Sequence, residues 1–594
     1  MLNTIVRNYP PHAFNNLIQH GCHPVLARIY AARGIEKPDQ LEAEWPRLIP
    51  FSRLKNVSFM AARLADALVA QKRLLIVADY DSDGATACAV GIRALRKFGA
   101  MVEYLVPNRF EYGYGLTPEI VHLAADTLRP DILITVDNGI ASVEGVAEAN
   151  RRGIQVFITD HHLPGDKLPD AAVIVNPNQA DCGFPSKHLA GVGVMFYLML
   201  ALRAELRARG KFAAPQKEPN LASLLDLVAL GTVADVVKLD DNNRVLVHKG
   251  LQRIRNGRAC AGIHALLEGA RRDFRQVSAY ELGFILGPRL NAAGRLADMT
   301  LGIECLITDD AAHASRIALQ LDALNHKRRE IEADMHNTAQ GMLDNALSAQ
   351  HTHSTPAEKI TTSLSLFDPR WHQGVIGILA SRLKERLHRP VIAFAPGSEG
   401  ELKGSGRSIP GLHLRDSLDL VSKRYPGLLL KFGGHAAAAG VTIRTSDFEK
   451  FREAFEEIAR AMLTPADLQH VIETDGDLDE AEMNLELARQ ISDQVWGQGF
   501  AQPTFITRFQ VQDQRVVAEK HLKLKLRRRP ASALSGEQKP SRMDNSYEAI
   551  LFAHSGPLPE VIDAVYRVQV NEFKGSSTLQ LVLDHWFQPD ALNP

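Results

Sequence analysis

Carboxylates and imidazoles recur in this 594-residue chain at the ends of short apolar runs. Leu74-Leu75-Ile76-Val77 leads into Asp79-Tyr80-Asp81-Ser82-Asp83-Gly84, and Ile132-Leu133-Ile134-Thr135-Val136 into Asp137-Asn138-Gly139. Val156-Phe157-Ile158-Thr159 leads into Asp160-His161-His162. Such runs read as buried strands of a parallel sheet, and α/β folds bind ligands at the carboxyl ends of those strands. Like charges a few Å apart cannot all stay ionised, so clustered carboxylates call for a cation. Oxygen ligands point to Mg2+ or Mn2+, and imidazole shifts the preference toward Mn2+ without deciding it. Four or more carboxylates are enough for two divalent ions, with Asp137 from the middle strand a natural bridge. Two ions ~3.5–4 Å apart are suited to phosphoryl hydrolysis.

Other chemistries fit less well. Asp79, Asp81, Asp83 and Gly84 match the front of a calcium loop, but the twelfth position is Val90 rather than glutamate, and a strand flanks the loop. An aspartyl nucleophile of the haloacid-dehalogenase type would leave Asp160-His161-His162 without a role. A single Asp after a strand is commonly a turn former or helix N-cap, and Asp137-Asn138-Gly139 has the look of a turn. Three such ends in one βαβ region make that reading a poor account of the set.

The elements that must position these residues follow from pattern. Strand-like and helix-like segments alternate from about 70 to 180, which predicts a mostly parallel, doubly wound sheet. Its strands are Leu74–Ala78, the Val102–Val106 region, Ile132–Val136, Val156–Thr159 and Val173–Val175. Helices are expected over 191–209 and Leu221–Val237, the latter carrying Gly231-Thr232-Val233-Ala234-Asp235-Val236. Asp309–Leu347 has no Gly or Pro before Gly341 and reads as one long helix joining two bodies, with a core helix of a bundle as the plainer alternative. A second α/β unit follows, with a strand at 362–367, a helix at 374–388, a strand at 391–395, and Gly-rich turns at Gly404–Ser408 and Gly433–Gly440. Beyond about 465, short alternating strands suggest a small β-barrel. The expected division is an N-terminal segment 1–50 of mixed helix and loop, a parallel-sheet domain 51–308, a linker helix 309–350, a second α/β domain 351–462 and a barrel 463–594.

Bulk properties exclude little. A net charge of −1 gives no global signature of nucleic-acid binding, yet a neutral body can carry a local basic groove. The five scattered cysteines, without a C-x-x-C pair, argue against a zinc knuckle and a disulfide framework. No basic-then-apolar leader opens the chain, and no apolar run reaches the ~18–20 residues that span a bilayer. A cytoplasmic monomer with no membrane contact is expected.

In order, Asp79–Gly84, Val136–Gly139, Asp160-His161-His162 and the Asp235 segment resemble the four motifs of the DHH phosphoesterase superfamily. Gly287-Pro288-Arg289-Leu290-Asn291-Ala292-Ala293-Gly294-Arg295 and Gly433–Gly440 look like later signatures of its RecJ family, the second within a DHHA1 domain. The tail is similar to that family's OB-type domain. The resemblance covers roughly 70–445 by motif. It implies an α/β multidomain protein: a DHH parallel-sheet domain, a long linker helix, a DHHA1 domain and a C-terminal OB-type barrel. It implies that Asp81, Asp83, Asp137, His161 and Asp235 ligate Mn2+ or Mg2+, that Asp160 orients a ligand imidazole, and that His162 faces the scissile phosphate. In superfamily pyrophosphatases a histidine stands four positions before the first aspartate. Here that position is Val77, which implies fewer protein ligands at one metal. A metal role for Asp79 stays open. Arg295, Ser405, Arg407 and His435 would hold substrate phosphates, Arg295 near the 5′ end.

Three further features bear on nucleic acid. Tyr114, in Phe110–Leu116, would line a strand path or stiffen a turn. Trp371 would stack on a base or staple the start of a helix. Lys523, Lys525 and Arg527 alternate with leucines, so one strand face would be basic. That face suits a nucleic-acid backbone or, as a solvated edge strand, protects against aggregation. The activity implied is 5′→3′ hydrolysis of single-stranded DNA to mononucleotides in recombination and repair, with single-stranded-DNA-binding protein and a helicase as partners. A small-substrate DHH hydrolase (pyrophosphate, nanoRNA or a cyclic dinucleotide) and a non-catalytic DNA-binding scaffold are the alternatives.

Overall fold

The computed structural model describes residues 3–113, 115–212, 217–350, 361–529, 546–573 and 575–589. Tyr114 and the segment 531–545 lie outside them. The first fifty residues hold a short strand, β1 (Asn3–Val6), and two helices, Pro11–Gln19 and Pro24–Ala31. The DHH-like sheet then forms from β2 (Arg73–Ala78), β3 (Met101–Leu105), β4 (Ile132–Val136), β5 (Gln155–Thr159) and β6 (Val173–Val175). All are parallel, in the order β3-β2-β4-β5-β6. Every residue of β4 is buried, as are Leu74–Ala78 of β2, which is why these strands are continuously apolar rather than alternating. The three motif-bearing strands β2, β4 and β5 are adjacent, so their carboxyl ends share one edge.

Helices Ser82–Lys97 and Gly191–Ala208 pack on this sheet. The segment expected to be helical over Leu221–Val237 is a 3-10 turn, Leu221–Leu224, followed by the helix Leu225–Ala234. Asp235 closes that helix, and Val236 leaves it with a φ of 60°. The long helix is continuous from Ala311 to Gln350.

Cα packing divides the chain into two compact units. One takes Ile5–Asp322 and Glu473–Pro594, the other Met1–Thr4 and Ala323–Ile472. In the second unit β7 (Leu364–Phe367), β8 (Val391–Pro396), β9 (Glu401–Arg407), β10 (Lys431–Gly434) and β11 (Ala438–Arg444) form a mixed sheet in the order β10-β11-β9-β8-β7. Helices Ile376–Leu387, Leu414–Arg424 and Phe448–Met462 belong to the same unit. The expected turn at Gly404–Ser408 is strand instead as far as Arg407. A Cβ on Gly404 would lie 2.5 Å from the Phe394 ring, and one on Gly406 would lie 2.7 Å from Leu414. These glycines make room for the core rather than bend the chain. Gly433–Gly440 spans the β10–β11 hairpin, with Gly434 at φ 142°.

After β12 (Val471–Thr474), five strands close into a barrel: β13 (Phe505–Val517), β14 (His521–Arg528), β15 (Ser546–Leu551), β16 (Val561–Phe573) and β17 (Ser576–Phe587). Leu522, Leu524 and Leu526 point into it, fully buried, and Phe505, Phe509 and Tyr566 fill its centre.

Candidate metal centre

Four chain segments deliver acidic or imidazole groups to one buried spot. After β2 the chain turns at Asp79 and Tyr80. Asp81 then caps the helix Ser82–Lys97, its Oδ1 accepting the amides of Asp83 at 2.9 Å and Gly84 at 3.0 Å. Gly84 is obligatory there, because a Cβ would sit 2.6 Å from the Asp79 carbonyl oxygen. Asp83 points back under the turn, where the first amides of Gly191–Ala208 hold both its oxygens: Gly191 N–H at 2.6 Å and Val192 N–H at 2.8 Å. A helix N-terminus favours negative charge. Asp137 sits at the end of β4 with φ 62°, and Gly191 leaves it space, since a Cβ there would fall 2.7 Å from Asp137 Oδ1.

His161 reaches this cluster from β5. Its Nε2 lies 3.0 Å from Asp137 Oδ1, 3.5 Å from Asp235 Oδ2 and 3.9 Å from Asp83 Oδ2. Three overlapping donor sets result, each with its ligand atoms within 4.8 Å of one another: Asp79, Asp81 and Asp137; Asp83, His161 and Asp235; Asp137, His161 and His162. His161 Nε2 and Asp235 Oδ2 are buried yet make no hydrogen bond. Buried polar atoms are normally satisfied, so donors converging unbonded on one spot fit a divalent cation. Oxygen and imidazole donors without sulfur suit Mn2+ or Mg2+.

The electrostatics have the same source. Burial, then repulsion from Asp81, lifts Asp83 to about 7, although the amides of Val192 and Gly191 pull against it. Burial and the neighbouring carboxylates push Asp137 and Asp235 well above the usual carboxylate range. The adjacent histidines diverge. Burial and the charge of His162 push His161 down to about 4, leaving the neutral ring that metals require. Burial opposes charge on His162 too, but Asp160 bonds its Nδ1 at 2.8 Å and, with Asp79 and Asp81 beyond, lifts it to about 9.

Asp160 was expected to orient a ligand imidazole. The ring it holds is that of His162, not that of His161, which faces the carboxylates. The cause is local. Asp160 Oδ1 also accepts the amides of His161 at 2.7 Å and His162 at 3.0 Å, and this tight turn brings the side chain two residues on, not one, back onto the carboxylate. Burial alone would raise Asp160, but the bond and charge of His162 and the amides of Ile140 and His162 outweigh it and hold its carboxyl below the ordinary range.

Several supporting residues escaped the sequence reading. Asn176 donates to the His162 carbonyl at 2.9 Å and Asn178 to that of His161 at 2.6 Å, fixing the backbone of the triplet. Both follow β6, so polar residues after a fourth strand of the same sheet were the available signal. Asn291 Oδ1 accepts from the amide of Ser82 at 2.8 Å and its hydroxyl at 2.9 Å. Asn138 Nδ2 bridges the Val77 and Val136 carbonyls, tying β2 to β4.

The remaining predicted residues lie elsewhere. Arg295 is half-buried in the last turn of the helix Gly287–Leu296, which abuts the acidic turn after β2: a Cβ on Gly294 would lie 1.9 Å from the Tyr80 oxygen. Ser405 and Arg407 share one face of β9. The backbone of this stretch is in register with β8 and β11 on its two sides, so it is not an open loop for a phosphate. The side chains still offer donors: Arg407 Nη1 lies 3.3 Å from Ser405 Oγ, and burial pulls the guanidinium below its usual range. His435 is exposed in the β10–β11 turn. Trp371 is a correction. It is only 4% exposed and precedes the helix Ile376–Leu387 rather than opening it, so the packing role applies and the ring is not presented to a base. Lys523, Lys525 and Arg527 share one face of β14 opposite the buried leucines, but the face is not purely basic. Lys523 pairs with Glu548 at 2.6 Å, and Lys525 lies opposite that glutamate.

Comparison with known proteins agrees with this layout. The DHH family N-terminal domain matches residues 73–232, the DHHA1 domain 359–461 and the RecJ OB domain 474–585. The single-stranded-DNA-specific exonuclease RecJ of Dickeya dadantii is 48% identical over 564 residues, covering 94% of this chain and 95% of that protein. This chain belongs to the RecJ family. The RecJ of Escherichia coli K12 is 46% identical, with 95% of each chain covered. The crystal structure of RecJ in complex with Mn2+ from Thermus thermophilus superposes with a TM-score of 0.80 at 28% identity, covering all of this chain and 80% of that one. Among the described residues no helix is long and apolar enough to cross a membrane.

Proposed function

We propose that this RecJ-family chain hydrolyses single-stranded DNA from the 5′ end, releasing mononucleotides, and serves recombination and repair in the cytoplasm. The observation that carries the reading is the convergence of donors around Asp137, with His161 Nε2 and Asp235 Oδ2 buried and unbonded. Asp81, Asp83, Asp137, His161 and Asp235 would hold two divalent ions, Mn2+ or Mg2+, and Asp79 joins the set through its place beside Asp81 and Asp137. When bound, such ions supply the Lewis acidity and charge neutralisation that phosphodiester hydrolysis needs.

The protein's own groups do the positioning. Asp160 fixes the His162 ring through Nδ1 and keeps it protonated, so its other nitrogen can donate to a phosphate oxygen. Asp83, held by two amides, and Asn291, holding Ser82, set the catalytic turn. Arg295, Ser405, Arg407 and His435 are assigned to substrate phosphates, and the β14 face with Lys523, Lys525 and Arg527 to the strand backbone. In this reading residues 51–308 hydrolyse, 309–350 connect, 351–462 bind phosphate and 463–594 bind the strand. Single-stranded-DNA-binding protein and a helicase are the partners proposed, with a monomer as the working unit.

The test uses Mn2+ and single-stranded DNA labelled at either end, beside duplex DNA and pyrophosphate. Early release of the 5′-terminal mononucleotide from the single strand alone is expected. Intact DNA with rapid pyrophosphate cleavage would overturn the reading.

A further inference from the structure

Glu281–Leu286 is wound as a π-helix, a rare geometry that is frequent at functional sites. It runs directly into Gly287–Leu296, whose Gly287 carbonyl and Asn291 side chain hold Ser82 of the catalytic turn. Its inner face is tightly packed. Leu282 and Leu286 are fully buried, and a Cβ on Gly283 or Gly287 would come within 3.2 Å of Val233 or Ala234, the turn that ends at Asp235.

The outer face is of another kind. Tyr280 and Phe284 are 52% and 66% exposed, their rings stacked with centroids 5.2 Å apart and planes at 26°. Val236, one residue beyond Asp235, is also exposed. Upstream the same segment carries exposed Arg271 and Arg272, while Arg275, also exposed, is paired with Asp273 at 3.0 Å. Gln276 bonds Glu572 on β16 of the barrel. One short stretch of chain therefore runs from the barrel, past exposed cations, over two solvent-facing rings, to the residues bracing the metal cluster.

We propose that Tyr280 and Phe284 form a base-stacking step on which single-stranded DNA rests between the barrel and the hydrolytic centre. The proposal rests on the exonuclease reading and adds to it a residue-level source of strand selection. Every base has a π face, so stacking on aromatic rings tolerates any sequence. In a duplex those faces are already occupied by neighbouring bases, so a duplex gains nothing from the step. Arg271 and Arg272 upstream complement the phosphate backbone.

The experiment compares the wild type, the double variant Tyr280→Ala/Phe284→Ala and the double variant Tyr280→Trp/Phe284→Trp, all with Mn2+. The alanine variant should show a KM for long unstructured oligonucleotides raised roughly 5- to 150-fold, the span of one base–aromatic stack. Its kcat and its turnover of a dinucleotide should be unchanged. The tryptophan variant should restore KM, and its added fluorescence should be quenched by oligonucleotide in the absence of divalent ions, less so when the bases are replaced by abasic sites. An unchanged KM in the alanine variant overturns the proposal. So does an equal fall in dinucleotide turnover, which would mark a structural role, and so does quenching that ignores abasic sites. If the wild type cleaves no DNA, the exonuclease reading fails by itself, and the quenching and abasic comparison still decides whether the rings stack on bases.

Discussion

At the residue scale, Asp160 shows how one carboxylate sets its neighbours' chemistry. It accepts four hydrogen bonds, from the amides of Ile140, His161 and His162 and from His162 Nδ1. Asp160→Asn keeps the volume and removes the charge, so His162 should fall from about 9 toward the ordinary imidazole range. Activity should drop roughly 100- to 1,000-fold, the cost of losing one well-placed donor to a developing oxyanion. An NMR titration of the metal-free variant checks the first point, and an unmoved His162 would refute the role. A second prediction concerns Asp83. Its folded value near 7 stands above the unfolded 3.8, and Asp137 and Asp235 are raised with it. A carboxyl raised by folding favours the fold fully below its unfolded value, and that contribution is lost as pH rises through the folded value. Between about 4 and 7 the metal-free site therefore holds extra protons, which a cation must displace. Calorimetry in buffers of differing ionisation enthalpy should record proton release on Mn2+ uptake near pH 6, fading above pH 8, and a metal-induced rise in Tm that grows with pH. Proton-neutral uptake at pH 6 would contradict this. Asp79, Asp81, Asp83, Asp137 and Asp160 were legible in sequence, because they follow apolar strand-like runs, whereas Asp235 closes a helix and was reached only through the family resemblance. Which imidazole Asp160 would hold was not, since that depends on the turn joining three consecutive residues.

At the element scale, the sheet was legible because strands buried on both faces must be continuously apolar, and β2, β4 and β5 are. β9 reads as a turn for the converse reason: glycines that clear space for Phe394, Val441 and Leu414 look in sequence like glycines that bend a chain. Helix contacts were equally hidden. The helix Gly287–Leu296 braces the acidic turn after β2 through Asn291 and through the absence of a side chain at Gly294, whose Cβ would lie 1.9 Å from the Tyr80 carbonyl oxygen. Backbone cannot yield as a flexible side chain can. Gly294→Ala should therefore push the helix off the turn at a cost of about 1–3 kcal/mol, seen as a lower denaturant midpoint, with weakened Mn2+ binding by isothermal titration. Unaltered Mn2+ affinity alongside unaltered stability would show that the helix does not brace the turn.

At the scale of the whole molecule, the two ends of one compact unit are joined by a buried ionic knot that no local pattern announces. Asp475, its side chain 1% exposed, takes Arg33 at 2.7 Å and 3.0 Å and Arg7 at 3.1 Å. It also accepts the amide of Thr504 at 3.0 Å. Trp496 extends the join, stacking on Tyr30 with Arg33 over its face. The N-terminal helices, which carry no chemical motif, thus anchor the polypeptide that enters the barrel. Partners more than four hundred residues apart leave no periodicity to read, so this segment looks featureless in sequence. A buried pair adds little over an apolar substitute, but breaking one partner strands the other charge away from water. Asp475→Ala should therefore cost about 3–5 kcal/mol, whereas replacing Arg7, whose partners include the exposed Glu473, should cost much less. Chemical denaturation of the metal-free protein measures both. Equal and small losses would mean that the knot is incidental and that the barrel is held by its apolar contacts alone.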